Sequence, residues 1–203
     1  MAGGARQLQK AATRARVVAA ARELFVAQGY EGATIRQIAN LAGVSVGSVF
    51  TNFASKGEIL SQVMEERLGA LYAELDRLAP HLRGSTVDRL CSMFALHFAF
   101  ESQHVQLFLA HIGAAYDWTL APGARPFGRN AHLRGIVEDC LRGGVGRGEV
   151  DPDVDVAAVV ELLVAAYAWS YRLAAWGAAS AETMTAEMER QVGLIARGFA
   201  PRR

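Results

Sequence analysis

The chain has 203 residues, 52% of them hydrophobic, and its 21 Lys and Arg against 20 Asp and Glu leave a formal net charge of +1. A chain this apolar and this close to neutral can bury enough surface to fold, which excludes wholesale disorder, and its length suits one or two domains. Two cysteines, Cys91 and Cys140, make neither a disulfide scaffold nor a C-x-x-C zinc spacing, so a reducing, cytoplasmic compartment is expected, and the polar first ten residues hold no apolar stretch of a secretory signal.

The charge is unevenly spread. Residues 1–60 carry seven basic groups (Arg6, Lys10, Arg14, Arg16, Arg22, Arg36, Lys56) and three acids (Glu23, Glu31, Glu58), whereas residues 61–203 carry 14 basic and 17 acidic groups. A basic front and a slightly acidic rear point to the front alone as the part that meets a polyanion.

Helical periodicity dominates, and no segment alternates as a strand does. Ala11 to Gln28 lines Val17, Val18, Ala21, Leu24 and Phe25 along one face, with Gly29 placed to end the helix. Thr34 and Gln37 form a capping box for a short helix whose Ile35 and Ile38 face inward and which ends near Gly43. Ser45 caps a third helix running to about Phe53. Ser55 and Glu58 open a long one that stops at Pro80. Thr86 to Gln103 is helical and bends on through His111. Asp117 to Arg129, with two prolines and two glycines, is a broken connection. Leu133 to Leu141 is helical, and Gly143, Gly144, Gly146 and Gly148, followed by Asp151-Pro152-Asp153, make a turn region. Asp153 or Asp155 caps an apolar helix to Trp176, and a last amphipathic helix spans Ala181 to Phe199. The expectation is an all-α protein of about nine helices. Val156 to Trp176 is long enough to span a bilayer, but it holds Glu161, Ser170 and Arg172 and has no one-sided basic flank. It reads as a helix buried between partners, with no membrane involved.

The informative window is Arg14 to Leu60. Two short helices meet at Leu41-Ala42-Gly43-Val44-Ser45, the glycine-bearing turn of a helix-turn-helix, in which the second helix enters the major groove. Ala39, Val44, Val49 and Phe53 supply small apolar packing, and the outer positions Val46, Gly47, Ser48, Phe50, Thr51 and Asn52 contain no acid to repel phosphates. Phe25, Gly29-Tyr30, Thr34, Ile38-Ala39, Ala42-Gly43-Val44-Ser45, Gly47, Phe53, Ser55-Lys56 and Leu60 together resemble the TetR-type transcriptional regulators.

That resemblance implies a DNA-binding domain over residues 1–58 and a helical effector-binding and dimerisation domain over 59–203. It implies that Ser45 and Ser48 contact backbone or base edges, that Gly47 lets the helix sit close to DNA, and that Thr34, Arg36 and Lys56 meet phosphates. Phe50 stands where tyrosine is usual and Asn52 where histidine or tyrosine is common. Thr51 completes the outer face, and Val46 suits a thymine methyl. Arg6, Lys10, Arg14 and Arg16 are either phosphate or minor-groove contacts or part of a solvated tail. Ser45 and Thr34 are helix caps with or without DNA.

A twofold pair reads two half-sites and needs an apolar face. The expected face comes from Val156, Val160, Leu163 and Tyr167 on one helix and Met188, Val192, Ile195 and Phe199 on the last. Packing within one chain is the alternative. An effector pocket, apolar with a few polar groups, is expected to draw on Phe94, His97, Phe98, Glu101, His104, Phe108, His111, Tyr116, Trp118 and Trp169. His97, Glu101 and His104, at i, i+4 and i+7, share a helix face. That face lines the pocket, is solvated or binds a metal. No metal or other cofactor is assigned.

The sequence thus reads as a ligand-responsive transcriptional regulator rather than an enzyme. It is a homodimer on double-stranded DNA, a repressor released from a palindromic operator by a small apolar or aromatic effector. The rivals are a metal-dependent enzyme built on His97, Glu101 and His104, and a DNA-binding dimer with no ligand.

Overall fold

The computed structural model describes residues 2–115, 131–177 and 179–201. Among them the fold is all-α: ten helices and two short 3-10 turns, with no strand. The expected loop between Asp117 and Arg129 lies outside the described residues. The chain divides into two compact units, one of residues 1–69 with Gln106–Ala114, the other of Ala70–Val105 with residues 115–203.

The first unit is built on α1 (Ala2–Gly32), α2 (Ile35–Leu41), α3 (Val46–Asn52) and the first half of α4 (Lys56–Leu78). Helix α1 starts nine residues before the expected point, and Gly29 kinks it at φ 77° and ψ 164°. Thr34 caps α2 through the reciprocal box with Gln37. The turn after α2 is a Schellman motif: Val44 N donates to Ala39 O at 3.0 Å and Gly43 N to Asn40 O at 3.1 Å. That geometry requires Gly43 at φ 64°, the left-handed region where a Cβ is strained. Ser45 then caps α3 by accepting from Ser48 N at 3.1 Å. Val17, Val18, Phe25, Ile38, Val49 and Phe53 form the buried core with Ile59, Leu60 and Val63 of α4. Ile35 is only half-buried.

The second unit holds the rest of α4, then α5 (Thr86–Glu101), α7 (Ala131–Gly146), α8 (Val156–Ser170), α9 (Arg172–Trp176) and α10 (Ala181–Phe199). Helix α6 (Val105–Ala115) follows a 3-10 turn at Ser102–His104, the bend expected after Gln103. Helix α5 packs on α10 and α7, and α8 packs on the same two. Ser85 and Asp88 form a capping box at the start of α5, Asp155 caps α8, and Ser180 caps α10.

Two expectations are corrected. The glycine run 143–146 is helix, not turn: Gly144 is buried, and a Cβ there would lie 2.3 Å from Thr86 Oγ1 and 2.7 Å from Val150 Cγ2. The missing side chain is what lets α7 approach α5. The apolar helix expected to reach Trp176 breaks at the buried Tyr171 into α8 and α9. Val156–Trp176 is apolar and long enough to cross a membrane by composition, yet Val160, Leu163, Val164 and Tyr167 on its inner face fill this unit's core.

Candidate nucleic-acid interface and effector cavity

Helix α3 buries only Val49. Its other face is open: Phe50 is 55% exposed, Val46 is 38% exposed, and Gly47 and Thr51 lie beside them with Ser48 half-buried. Local side-chain bonds close this short helix on itself. Ser45 closes its first turn, and Thr51 Oγ1 donates to Gly47 O at 2.9 Å. Asn52 Nδ2 donates back to Ser48 O at 2.8 Å, while its Oδ1 is buried. Thr34 and Arg36 are exposed at the start of α2.

Three basic or amide groups expected at DNA are committed inside the unit instead. Lys56 Nζ donates to Tyr30 O at 2.8 Å and Ala33 O at 3.2 Å and sits 4.2 Å from the Tyr30 ring centroid. It thus binds carbonyls at and just after the C-terminal end of α1. Arg14 lies 4.0 Å over the Phe53 ring. It bonds Asn52 O and reaches Glu58 and Gln62, each at 3.3 Å. Asn52 turns its amide onto its own helix. Arg22 pairs with Glu66. The cations left on the exposed surface of this unit include Arg6, Lys10, Arg16 and Arg36.

The residues expected at an effector pocket separate. Phe94 stacks on Tyr167 with ring centroids 5.6 Å apart, and Phe98 lies tilted against the same ring at 5.3 Å, a closed aromatic core. His97 is 1% exposed, its Nδ1 3.3 Å from Tyr167 Oη, which is 3.2 Å from Tyr171 Oη. Burial, with His132 nearby, pushes the His97 pKa down to about 3, so the ring is neutral. Its Nε2 is buried with no hydrogen-bond partner among the described residues. Glu101 is fully buried, and desolvation raises the pKa of the nearby Tyr72, Tyr167 and Tyr171 hydroxyls. His104 is half-buried in the 3-10 turn. Phe108 and His111 belong to α6 and the other unit, with rings 6.4 Å apart. Tyr116 and Trp118 lie outside the described residues. Trp169 is 57% exposed, edge-on to Trp176 at 6.1 Å. No group of three or more His, Cys, Asp or Glu that could hold a metal occurs among the described residues. Burial raises both thiols, Cys91 and Cys140, to about 11, far from a reactive thiolate.

One open cavity of the second unit lies elsewhere. It is about 340 Å³, between the end of α4, α5 and α7. Its apolar wall includes Pro80, Leu82, Met93 and Ile136, and its polar groups are Asp76, Arg89, Asp139 and Arg147. One helical turn from Asp76, Met93 and Ile136 stand Tyr72, His97 and His132. Tyr72 stacks on His132 at 4.5 Å and meets His97 at 5.9 Å, and His132 Nε2 lies 3.0 Å from Asp76. Sequence reading missed this wall because it is formed by residues far apart in the chain, from Asp76 to Arg147.

The expected dimer face is corrected too. Val160, Leu163, Tyr167, Met188, Val192 and Phe199 are buried within one chain, and Val156 and Ile195 are half-buried. The large apolar side chains that α8, α9 and α10 leave exposed are Leu162, Trp169, Trp176 and Leu194.

Residues 17–63 match the family model described as bacterial regulatory proteins, tetR family. The HTH-type transcriptional repressor KstR2 of Mycolicibacterium smegmatis is 28% identical over 156 residues, covering 76% of each chain. The HTH-type transcriptional regulator SrpR of Pseudomonas putida is 48% identical over 64 residues, 32% of this chain and 29% of its own. The fold is shared with Thermus thermophilus FadR, described as a transcriptional repressor in complex with lauroyl-CoA. The TM-score is 0.74 at 24% identity, over 94% of this chain and 96% of that one. Residues 17–63, with their buried helix-turn-helix core, thus carry the helix-turn-helix of the tetR family of bacterial regulatory proteins.

Proposed function

We propose that this protein is a cytoplasmic homodimeric repressor that a small effector releases from a palindromic operator. Residues 1–58 would form the DNA-binding domain and 59–203 the effector and dimerisation domain. The observation that carries the reading is the exposed, acid-free outer face of α3, closed on itself by Ser45 and Thr51 and accompanied by the exposed cations Arg16 and Arg36. Phosphate contacts supply affinity, and side chains in the groove supply sequence. Of the residues expected at DNA, Thr34, Arg36, Ser45, Val46, Gly47, Ser48, Phe50 and Thr51 stay in the proposed interface. Lys56 and Asn52 support it from behind.

Leu162, Trp169, Trp176 and Leu194 would meet a second copy in a four-helix contact. The effector would enter the cavity beside Met93 and Ile136, with the Tyr72, His97 and His132 rings as its end wall. FadR, bound to lauroyl-CoA in a shared fold, supports an effector with a long apolar part. An effector shifts binding only by its differential affinity for the two states.

The test is anisotropy of a labelled duplex from the region upstream of the gene, titrated with protein at two salt concentrations. Saturable binding that outlasts an excess of unrelated duplex supports the reading. Salt-sensitive binding that unrelated duplex competes away equally would favour the ligand-independent architectural dimer.

A further inference from the structure

We infer that α3 reads thymine methyl groups rather than guanine edges, an inference that rests on the DNA-binding reading above. Direct recognition of guanine takes a bidentate Arg or Lys, and recognition of adenine takes a bidentate Asn or Gln. Helix α3, Val46 to Asn52, contains no Arg, Lys or Gln. Its one amide, Asn52, is spent on Ser48 O at 2.8 Å, with its Oδ1 buried. Thr51 Oγ1 donates to Gly47 O, and Ser45 accepts from Ser48 N. Apart from the half-buried Ser48 hydroxyl, what α3 offers outward is apolar: Val46, Phe50 and the Thr51 methyl, with Gly47 letting the backbone come close.

Apolar contact with the C5-methyl of thymine is the base-edge feature that such a face matches. Two large exposed apolar side chains on a seven-residue helix lose water only if something apolar covers them. The exposed cations Arg16 and Arg36 lie outside α3. They suit phosphates, which set register and affinity but carry no sequence of their own. Operator half-sites should therefore carry thymines where α3 sits.

The full-length protein is used to select duplexes from a random-sequence library. The consensus is then resynthesised with deoxyuridine for each thymine, which removes only the methyl, and separately with 7-deazaguanine for each guanine, which removes the N7 acceptor. Each methyl that α3 covers is worth about a fourfold change in affinity, or about fifteenfold when both half-sites of a palindrome are changed. Phe50→Ala, at an exposed site, should bind the thymine and deoxyuridine duplexes alike at the position that Phe50 covers. Equal binding of the wild-type protein to the natural and deoxyuridine duplexes overturns the inference and leaves the DNA-binding reading standing. A larger loss from 7-deazaguanine than from deoxyuridine overturns it in the same way. A library that yields no common sequence removes both.

Discussion

His97 ties the second unit's stability to pH. The side chain is 1% exposed, and burial holds its pKa at about 3 against 6.5 for the ordinary group. Between those two values the unfolded chain carries a proton that the folded chain refuses. Stability therefore rises with pH through this window and is lost as pH falls. At pH 7 the term is nearly nil. At pH 5 it is destabilising by about 2 kcal/mol, from about 1.4 kcal/mol per pH step below 6.5. Replacing the ring by an uncharged one of similar size, His97→Phe, removes the term, and Tyr167 keeps Tyr171 as a hydroxyl partner at 3.2 Å. The assay is urea unfolding of wild type and variant at pH 5, 6 and 7, read as a difference. The half-buried His111 is shifted in the same direction by desolvation but is common to both proteins, so it cancels. The difference should close by about 2 kcal/mol in the variant's favour on going from pH 7 to pH 5. A difference that stays flat would show that His97 is solvated or charged in the fold and would refute the reasoning.

Lys56→Met keeps the apolar stem but deletes the bonds to Tyr30 O and Ala33 O. It should lower headpiece stability by roughly 1.5–3 kcal/mol while leaving the salt slope of DNA binding unchanged, a separation that thermal melts and titrations at several salt concentrations detect. Gly144→Ala places a methyl against Thr86 Oγ1 and Val150, and overpacking there should cost about 1–3 kcal/mol, seen as a lower Tm by circular dichroism. Leu162→Asp, at a 57% exposed site, should shift the protein towards monomer in sedimentation velocity and weaken operator binding without changing its far-UV spectrum. Thr34→Ala removes the acceptor for Gln37 N and should cost about 1 kcal/mol, read from the same melts.

The headpiece was legible because its determinants are local. A capping box three residues long, a glycine where the Schellman turn needs positive φ, and apolar residues one helical turn apart all report on neighbours in the chain. Lys56 was not legible. Its position in the first turn of α4 suggested a phosphate, but its flexible stem folds onto the carbonyls of Tyr30 and Ala33, 26 and 23 residues earlier. Arg14 is the same case: its charge was visible, while the Phe53 ring and Asn52 carbonyl that hold it were not. In α8 nearly every face is apolar, so periodicity could not tell Leu163 and Tyr167, which fill the core, from Leu162 and Trp169, which stay exposed. The glycines ending α7 were read by their turn propensity. Close packing of Gly144 on Thr86 overrides that propensity.

The most direct measurement places α3 on DNA. A DNA-cleaving iron chelate is attached to the thiol of Thr51→Cys, in a chain that also carries Cys91→Ser and Cys140→Ser, and the protein is bound to a selected duplex. Two copies presenting α3 to successive major grooves should cut at two positions about one helical turn, 34–36 Å, apart, with strand offsets of the major groove. Tight binding with cuts that are scattered, or that fall in the minor groove, would show that another surface of the protein meets the duplex.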